Sequence, residues 1–364
     1  MGTCLVGFKA HSQIKFEFLG WALNAPMITD SRISVKAKKE PIQRAYLILN
    51  QKSSEPTLNY LDSLRAALRL NGWFYYKLCK TYVNALNKSE NFSTFLNWFL
   101  LGKSGFRAHL YFEGNRLRLY VESKDNVYDM PKVSDTYCLN CFDNEVKVTP
   151  SGIDQFRNGK FFDFSIKEVA KIRDPQIDQR TVVINSNLLL RQFNLEYSIN
   201  QSWVLLLEDY PNLELKKVYK TPFSFQLQPL VDTLKSITHG MTLLDGVRFL
   251  LSFARLSTEY RPDELIFGRE KWMTPEEALY YPSGDCEDKS SLFYYLVNEV
   301  LDLKCAILIY PRLDHDNIAV SMDAEKKPYF VLNGDPHYAC ELTDSSDLED
   351  VGDNELPKKF KYKV

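Results

Sequence analysis

The sequence predicts an α+β protein. Three observations carry that expectation. Apolar residues recur at helical spacing over residues 58–102, they alternate in strand fashion on either side of Gly114-Asn115, and the last third passes from capped helix starts into strands that turn at Asn333-Gly334. At about 150 residues per domain, the 364 residues suggest two or three domains. The changes of texture place a mainly helical region at 1–105, a β-rich region at 106–221 and a third domain at 222–364.

The elements follow in order. Residues 45–49 read as a strand and 53–56 as a loop. Leu58, Leu61, Leu64 and Leu68 keep helical spacing, and Trp73, Tyr76, Leu78 and Tyr82 resume it after Gly72. Residues 93–101 close this region as a short aromatic helix. Residues 109–112 and 117–121 form a hairpin pattern, and further strands are expected at 145–148, 160–166, 181–184 and 203–207. Thr242-Leu-Leu-Asp245 caps a helix carrying Leu243, Val247, Leu250, Leu251 and Ala254. Thr274-Pro275-Glu276-Glu277 starts another, with Pro at the first helical position. Cys286 precedes Leu292, Leu296 and Val300 at four-residue spacing. Residues 305–310, 317–322, 329–332 and 338–340 read as strands.

Composition narrows the function classes. Lys plus Arg number 45 and Asp plus Glu 47, for a net charge of -2, so no global field steers a polyanion and nucleic acid is not the expected partner. Aromatics make up 13%, which predicts a core rich in rings. Seven cysteines are too few for a disulfide scaffold of this length, and their number is odd. No apolar run reaches the roughly 18 residues of a membrane span, and residues 1–20 lack a signal-peptide pattern. The expected location is cytoplasmic, or exported if the chain is truncated at its N-terminus.

Any histidine chemistry must use His11, His109, His239, His315 or His337. Ser283-Gly-Asp-Cys-Glu-Asp288 places a thiol at a helix start, where unpaired N–H groups favour a thiolate and an oxyanion. The competing reading is a buried structural thiol. Asp285, Glu287 and Asp288 argue against simple burial, yet they also oppose a thiolate, so a cationic partner is needed. His315, at the mouth of an apolar strand, can supply it. A carboxylate would orient the imidazole, and two compete: Glu341 at the end of the last strand and Asp335 in the turn. The strand-end position favours Glu341, because a turn aspartate commonly serves backbone geometry.

With these residues in place, residues 230–343 resemble a transglutaminase-like domain of the papain-like cysteine peptidase superfamily. The capped helix from Thr242, the Glu259-Tyr260 exit, Gly284-Asp-Cys-Glu-Asp288, the His315 strand and the hairpin ending at Thr343 carry the resemblance. The Gly-Asp-Cys-Glu-Asp form and Trp272-Met-Thr-Pro-Glu-Glu277 are similar to bacterial transglutaminase-like cysteine proteinases. Residues 70–105 and Phe267-Gly-Arg-Glu-Lys271 resemble a larger bacterial family with a long N-terminal extension. The resemblance implies a papain-like core, with a cysteine-bearing helix packed on an antiparallel sheet, and a triad of Cys286, His315 and Glu341. It also implies a second oxyanion donor at Trp272 and a protein or peptide amide as substrate. No cofactor is required, although calcium at Asp285, Glu287 and Asp288 is a candidate. Two departures stand out. Glu341-Leu-Thr343 replaces the family's Asp-Pro-Thr, and Asp316-Asn317 follow the histidine where an aromatic is common.

On this reading a Cys286–His315 ion pair attacks an amide carbonyl, Glu341 fixes the imidazole tautomer, and water or an amine resolves the acyl-enzyme. The alternative is an inactive module of the same type that binds peptides or protein partners. Weaker signals are Cys138-Leu-Asn-Cys141, which lacks the second pair of a zinc site, and the acidic run 344–355, which reads as a solvated tail. His109 and His239 look structural, and His337 is a reserve base.

Overall fold

The computed structural model describes residues 12–28, 33–51, 54–140, 147–186, 191–313, 315–343, 351 and 360–363. The chain mixes helix and strand, in agreement with the α+β expectation. It divides into two compact units: Met1–Phe164 with Ala170–Asp174, and Ser165–Val169 with Pro175–Val364. The boundaries expected after 105 and 221 therefore fall inside these units. Helices before 105 share a core with strands after it, and helices before 221 pack on helices after it, so a change of secondary-structure type did not mark a change of core.

The first unit opens with the hairpin β1 (Gln13–Phe18) and β2 (Trp21–Pro26), turned through Leu19 and Gly20, both at positive φ. Four helices follow: α1 (Lys39–Leu49), α2 (Glu55–Ala67), α3 (Gly72–Ala85) and α4 (Glu90–Lys103). Asn71 and Ser89 cap α3 and α4 by accepting backbone N–H groups two to three residues into each helix. Strands β3 (Ala108–Glu113), β4 (Arg116–Glu122), β5 (Lys132–Val133), β6 (Thr136–Cys138) and β7 (Thr149–Pro150) form an antiparallel sheet in the order β5-β6-β4-β3-β7. Helix α4 lies on β3 and β4 with Trp98, Phe95 and Phe99 fully buried, and the Trp98 indole N–H donates to the Ala108 carbonyl at 3.0 Å. Gly102 allows the Phe156 ring to lie directly against the α4 backbone, where a Cβ would meet it at 2.0 Å.

The second unit begins with a two-stranded ribbon, β8 (Ile177–Ser186) and β9 (Arg191–Asn200). Then come α5 (Gln201–Leu207), α6 (Leu215–Tyr219), a 3-10 turn at Phe225–Leu227, α7 (Gln228–Thr238) and α8 (Leu243–Ser257). Next are β10 (Glu259–Tyr260), α9 (Asp263–Ile266), α10 (Pro275–Tyr280), β11 (Ser283–Gly284) and α11 (Cys286–Leu301). The chain finishes with β12 (Cys305–Tyr310), β13 (His315–Ser321), β14 (Phe330–Leu332), β15 (Asp335–Cys340) and β16 (Lys361–Lys363), an antiparallel sheet in the order β14-β15-β13-β12-β16. Asn333 and Gly334, both at positive φ, make the β14–β15 turn. Helix α11 is packed between β13 and α8 and ends at Asp302 in the left-handed conformation.

Three expected strands are corrected. Residues 45–49 complete helix α1, and residues 203–207 lie in helix α5, whose start is capped by the Asn200 side chain accepting from Trp203 N–H. Residues 160–166 contribute only isolated bridges, Phe106 with Lys160 and Ser123 with Phe162. Of 145–148, the first two lie outside the described residues and the others form no strand. Among the described residues no helix is long and apolar enough to cross a membrane. Cys79, Cys138, Cys286, Cys305 and Cys340 are buried. Cys141 of the CxxC pair lies outside the described residues, as does the acidic run apart from Val351.

Candidate active site

Cys286 is the first residue of α11 and is 4% exposed. Its position is fixed by a reciprocal cap. The Asp285 carboxylate accepts the Asp288 N–H, and the Asp288 carboxylate accepts the Asp285 N–H at 3.1 Å. Asp288 also accepts the Met273 N–H at 2.8 Å, which ties the segment before α10 to the thiol helix. Gly284 is obligatory here, since a Cβ would stand 2.7 Å from the Asp288 carboxylate. The β10–β11 pairing sets Tyr260 beside Gly284.

The opposite wall comes from the sheet. His315 opens β13 and pairs across from Tyr310, on whose ring it stacks at 6.1 Å. Its Nε2–H donates to Glu341 at 3.1 Å. Glu341, just past β15, also accepts Asn317 Nδ2 at 2.7 Å, the Thr343 N–H at 2.9 Å and the Thr343 hydroxyl at 2.6 Å. Burial works against the Glu341 charge, but these donors outweigh it and hold the carboxyl at about 2. Burial likewise opposes a charged imidazole, and the Glu341 hydrogen bond and charge reverse the balance and raise the His315 pKa. Arg255 of α8 donates to the Glu341 carbonyl through both Nε and Nη2, and Lys289 of α11 donates to the Arg255 and Thr258 carbonyls at the end of α8. Asp335 is exposed at the hairpin turn, so the carboxylate on His315 is Glu341 and not Asp335. His337, the reserve base, is buried against Phe330 with Nδ1 on the Asp335 carbonyl. His109 pairs with Glu122, as befits a structural role.

The two walls meet at Asp316. Strand alternation turns it from His315 toward α11, where its carboxyl accepts the Tyr219 hydroxyl at 2.6 Å and the Ser290 hydroxyl at 3.1 Å. Its backbone N–H is directed at the Cys286 sulfur. Burial and then the nearby Glu287 charge push the Asp316 carboxyl up to about 8. The thiol itself donates to Glu287 Oε2 at 2.7 Å, not to His315. Burial, followed by the Asp316 and Glu287 charges, raises the Cys286 pKa. The expected thiolate–imidazolium pair is therefore absent from this arrangement, which holds a neutral thiol among acids. The helix-start contribution is outweighed because α11 brings its own carboxyls with it.

Trp272 is not an oxyanion donor here. Its backbone N–H donates to Asn212 Oδ1 at 3.1 Å, and its indole N–H donates to Glu270 at 2.8 Å. The calcium set is also revised. Asp288 spends its carboxylate on backbone N–H groups, whereas Asp263 and Glu270 join Asp285, their oxygens all within 4.8 Å of one another. Asp263 Oδ1 and Asp285 Oδ1 are buried without hydrogen-bond partners, so this all-oxygen set fits a hard cation better than the Asp285, Cys286 and Glu287 group, which includes a thiol. Burial raises the carboxyls of Asp263 to about 6 and of Asp285 to about 10, with neighbouring acids adding to each. Sequence reading missed Asp263 and Glu270 because they lie 15 to 22 residues before the motif. It also missed Asp316 as an anchor, although an acid opening an apolar strand is itself a signal.

No model of a known protein family matches the chain, and no curated protein matches it.

Proposed function

We propose that the second unit is a transglutaminase-like thiol enzyme with a papain-like core, acting on protein or peptide amides by hydrolysis, deamidation or acyl transfer. The observation that carries the reading is the His315–Glu341 pair, with its carboxylate fixed by four donors, at the strand mouth whose next residue abuts the Cys286 sulfur. Because Glu341 takes Nε2, Nδ1 is the imidazole nitrogen left for the nucleophile. The cycle begins when the thiol leaves Glu287 and gives its proton to that nitrogen. Sulfur then bonds to the amide carbon, His315 protonates the departing amine, and water or an acceptor amine cleaves the thioester. The Cys286 backbone N–H, in the open first turn of α11, faces the developing oxyanion. A divalent cation held by Asp263, Glu270 and Asp285 would offset the charge of this acidic wall.

The second reading, an inactive peptide-binding module, draws on the neutral thiol and its Glu287 hydrogen bond. One experiment separates them. Wild type and Cys286→Ala are incubated with a proteome, and cleavage, deamidation and crosslinks are read by mass spectrometry. The enzyme reading expects products from wild type alone. Identical product lists, with peptides retained by both proteins, would establish the module instead.

A further inference from the structure

Cys286 and Ser290 stand four residues apart on α11, so they share one helix face at a separation of about one turn. Asp316 of β13 meets that face twice. Its carboxyl accepts the Ser290 hydroxyl at 3.1 Å, and its backbone N–H is directed at the Cys286 sulfur. The other carboxyl oxygen accepts the Tyr219 hydroxyl at 2.6 Å, from α6. Three elements, α6, α11 and β13, therefore converge on one side chain.

The surroundings hold this arrangement in place. Tyr219 and Ser290 are fully buried, and Asp316 is 2% exposed. Helix α6 and strand β13 each pack on α11, and the Tyr219 ring lies 5.8 Å from the ring of Tyr294. The β13–β15 register begins at Ile318↔Cys340, so Asp316 lies beyond the pairing with β15 and its N–H is left to the sulfur. His315 and Asn317, on the other face of β13, turn to Glu341. A sulfur that becomes negative during attack is supported by a nearby donor, and an N–H fixed beforehand costs no reorganisation. Two hydroxyls on the carboxyl leave the Asp316 backbone little freedom to turn away.

We propose that Asp316 is a positioning residue for the thiol: Tyr219 and Ser290 grip its carboxyl, and this keeps its backbone N–H on the Cys286 sulfur as that sulfur becomes the nucleophile. The purpose of the device rests on the enzyme reading, but its test needs no substrate.

The full chain is labelled with iodoacetamide at fixed pH, and the rates at Cys286 and Cys305 are read separately by mass spectrometry. Asp316→Ala and Asp316→Asn remove the charge alike, but asparagine can still hydrogen-bond to both hydroxyls. The alanine variant should therefore label at Cys286 about tenfold more slowly than the asparagine variant. Charge alone would give the two variants one rate. Loosened packing would act in the opposite sense and speed Cys286 together with Cys305, which is buried in β12. Should Asp316→Ala fail to fold, Tyr219→Phe added to Asp316→Asn removes one grip with little change of volume, and it must slow Cys286 in the same direction by a smaller factor. Equal or faster labelling in the variant that lacks the grip overturns the proposal, as does a Cys286 that labels in none of the proteins. Products missing from the proteome experiment, with this order of rates kept, would remove the enzyme reading and leave the positioning. The reverse result would remove the positioning alone.

Discussion

Each unit builds a five-stranded antiparallel sheet with helices against it, yet the two place their charges differently. In the first, the sheet is sealed by rings, and cations lie over aromatic faces at the surface, as Arg107 and Lys124 do at Phe161. There, burial raises the Glu122 carboxyl, but the hydrogen bonds and charges of Arg107 and His109 together outweigh it and pull it down. In the second, Asp263, Glu276, Asp285, Asp288 and Asp316 are all raised by burial, whereas Glu341 is pulled down. The difference shows where each sheet spends its packing. The first fills the space beside its strands with Trp98 and Phe99. The second leaves acids on and around its thiol helix, each raised at a desolvation cost.

The largest effect that tests this contrast belongs to the first unit. Trp98→Ala should cost about 3–5 kcal/mol in chemical denaturation, while folded molecules keep the wild-type rate of Cys286 alkylation. A changed alkylation rate would break the division of labour. In the second unit, Glu341→Gln should cost about 3 kcal/mol near neutral pH, because the carboxyl is held at about 2 in place of its ordinary 4.5. A depressed carboxyl stabilises the fold fully above about 4.5 and loses that contribution as pH falls toward 2. The gap between variant and wild type should therefore close on acidification, as a urea titration at several pH values can measure. Glu287→Gln removes a negative charge from the thiol and should speed iodoacetamide labelling of Cys286 at pH 8 about tenfold. An unchanged rate would remove Glu287 from the control of that thiol.

Asp316→Asn is a smaller and opposite case. A carboxyl raised to about 8 favours folding below its ordinary 3.8, and that contribution is lost as pH rises through 8. The asparagine variant, which cannot ionise, should therefore lose less stability than wild type between pH 7 and 9, by about 1 kcal/mol. Smallest of all, Asp335→Ala should stay within about 0.5 kcal/mol of wild type and leave His315 titration by NMR unaltered. A shifted imidazole would reopen the choice between the two acids.

The sequence made the local features of the second unit legible. Thr242 and Thr274 announce their helices through side-chain caps, Asn333-Gly334 announces its hairpin, and Cys286, His315 and Glu341 stand out by position within their elements. What stayed hidden depends on distant partners. Asn212, 60 residues away, takes the Trp272 N–H. Asp263 reaches Asp285 only once α9 and α11 have formed. Short apolar runs such as 203–207 fit strand and helix equally, and the Asn200 cap was the signal that could have decided it. The thiol's hydrogen bond to Glu287 was equally unreadable, since the motif gives the residue but not the direction its carboxylate takes.

Arg255 and Lys289 have a consequence for how the molecule opens. One grips the carbonyl of Glu341 from α8, and the other grips the end of α8 from α11. The last hairpin cannot peel away without breaking a hold on α8, and α8 cannot fray at its end without breaking a hold on the thiol helix. Amide exchange at Leu342 and Thr343 should then proceed through the same large opening that exposes α11, not through fraying of a chain end. The candidate site would be lost in one cooperative event, with no partly assembled form surviving beside it.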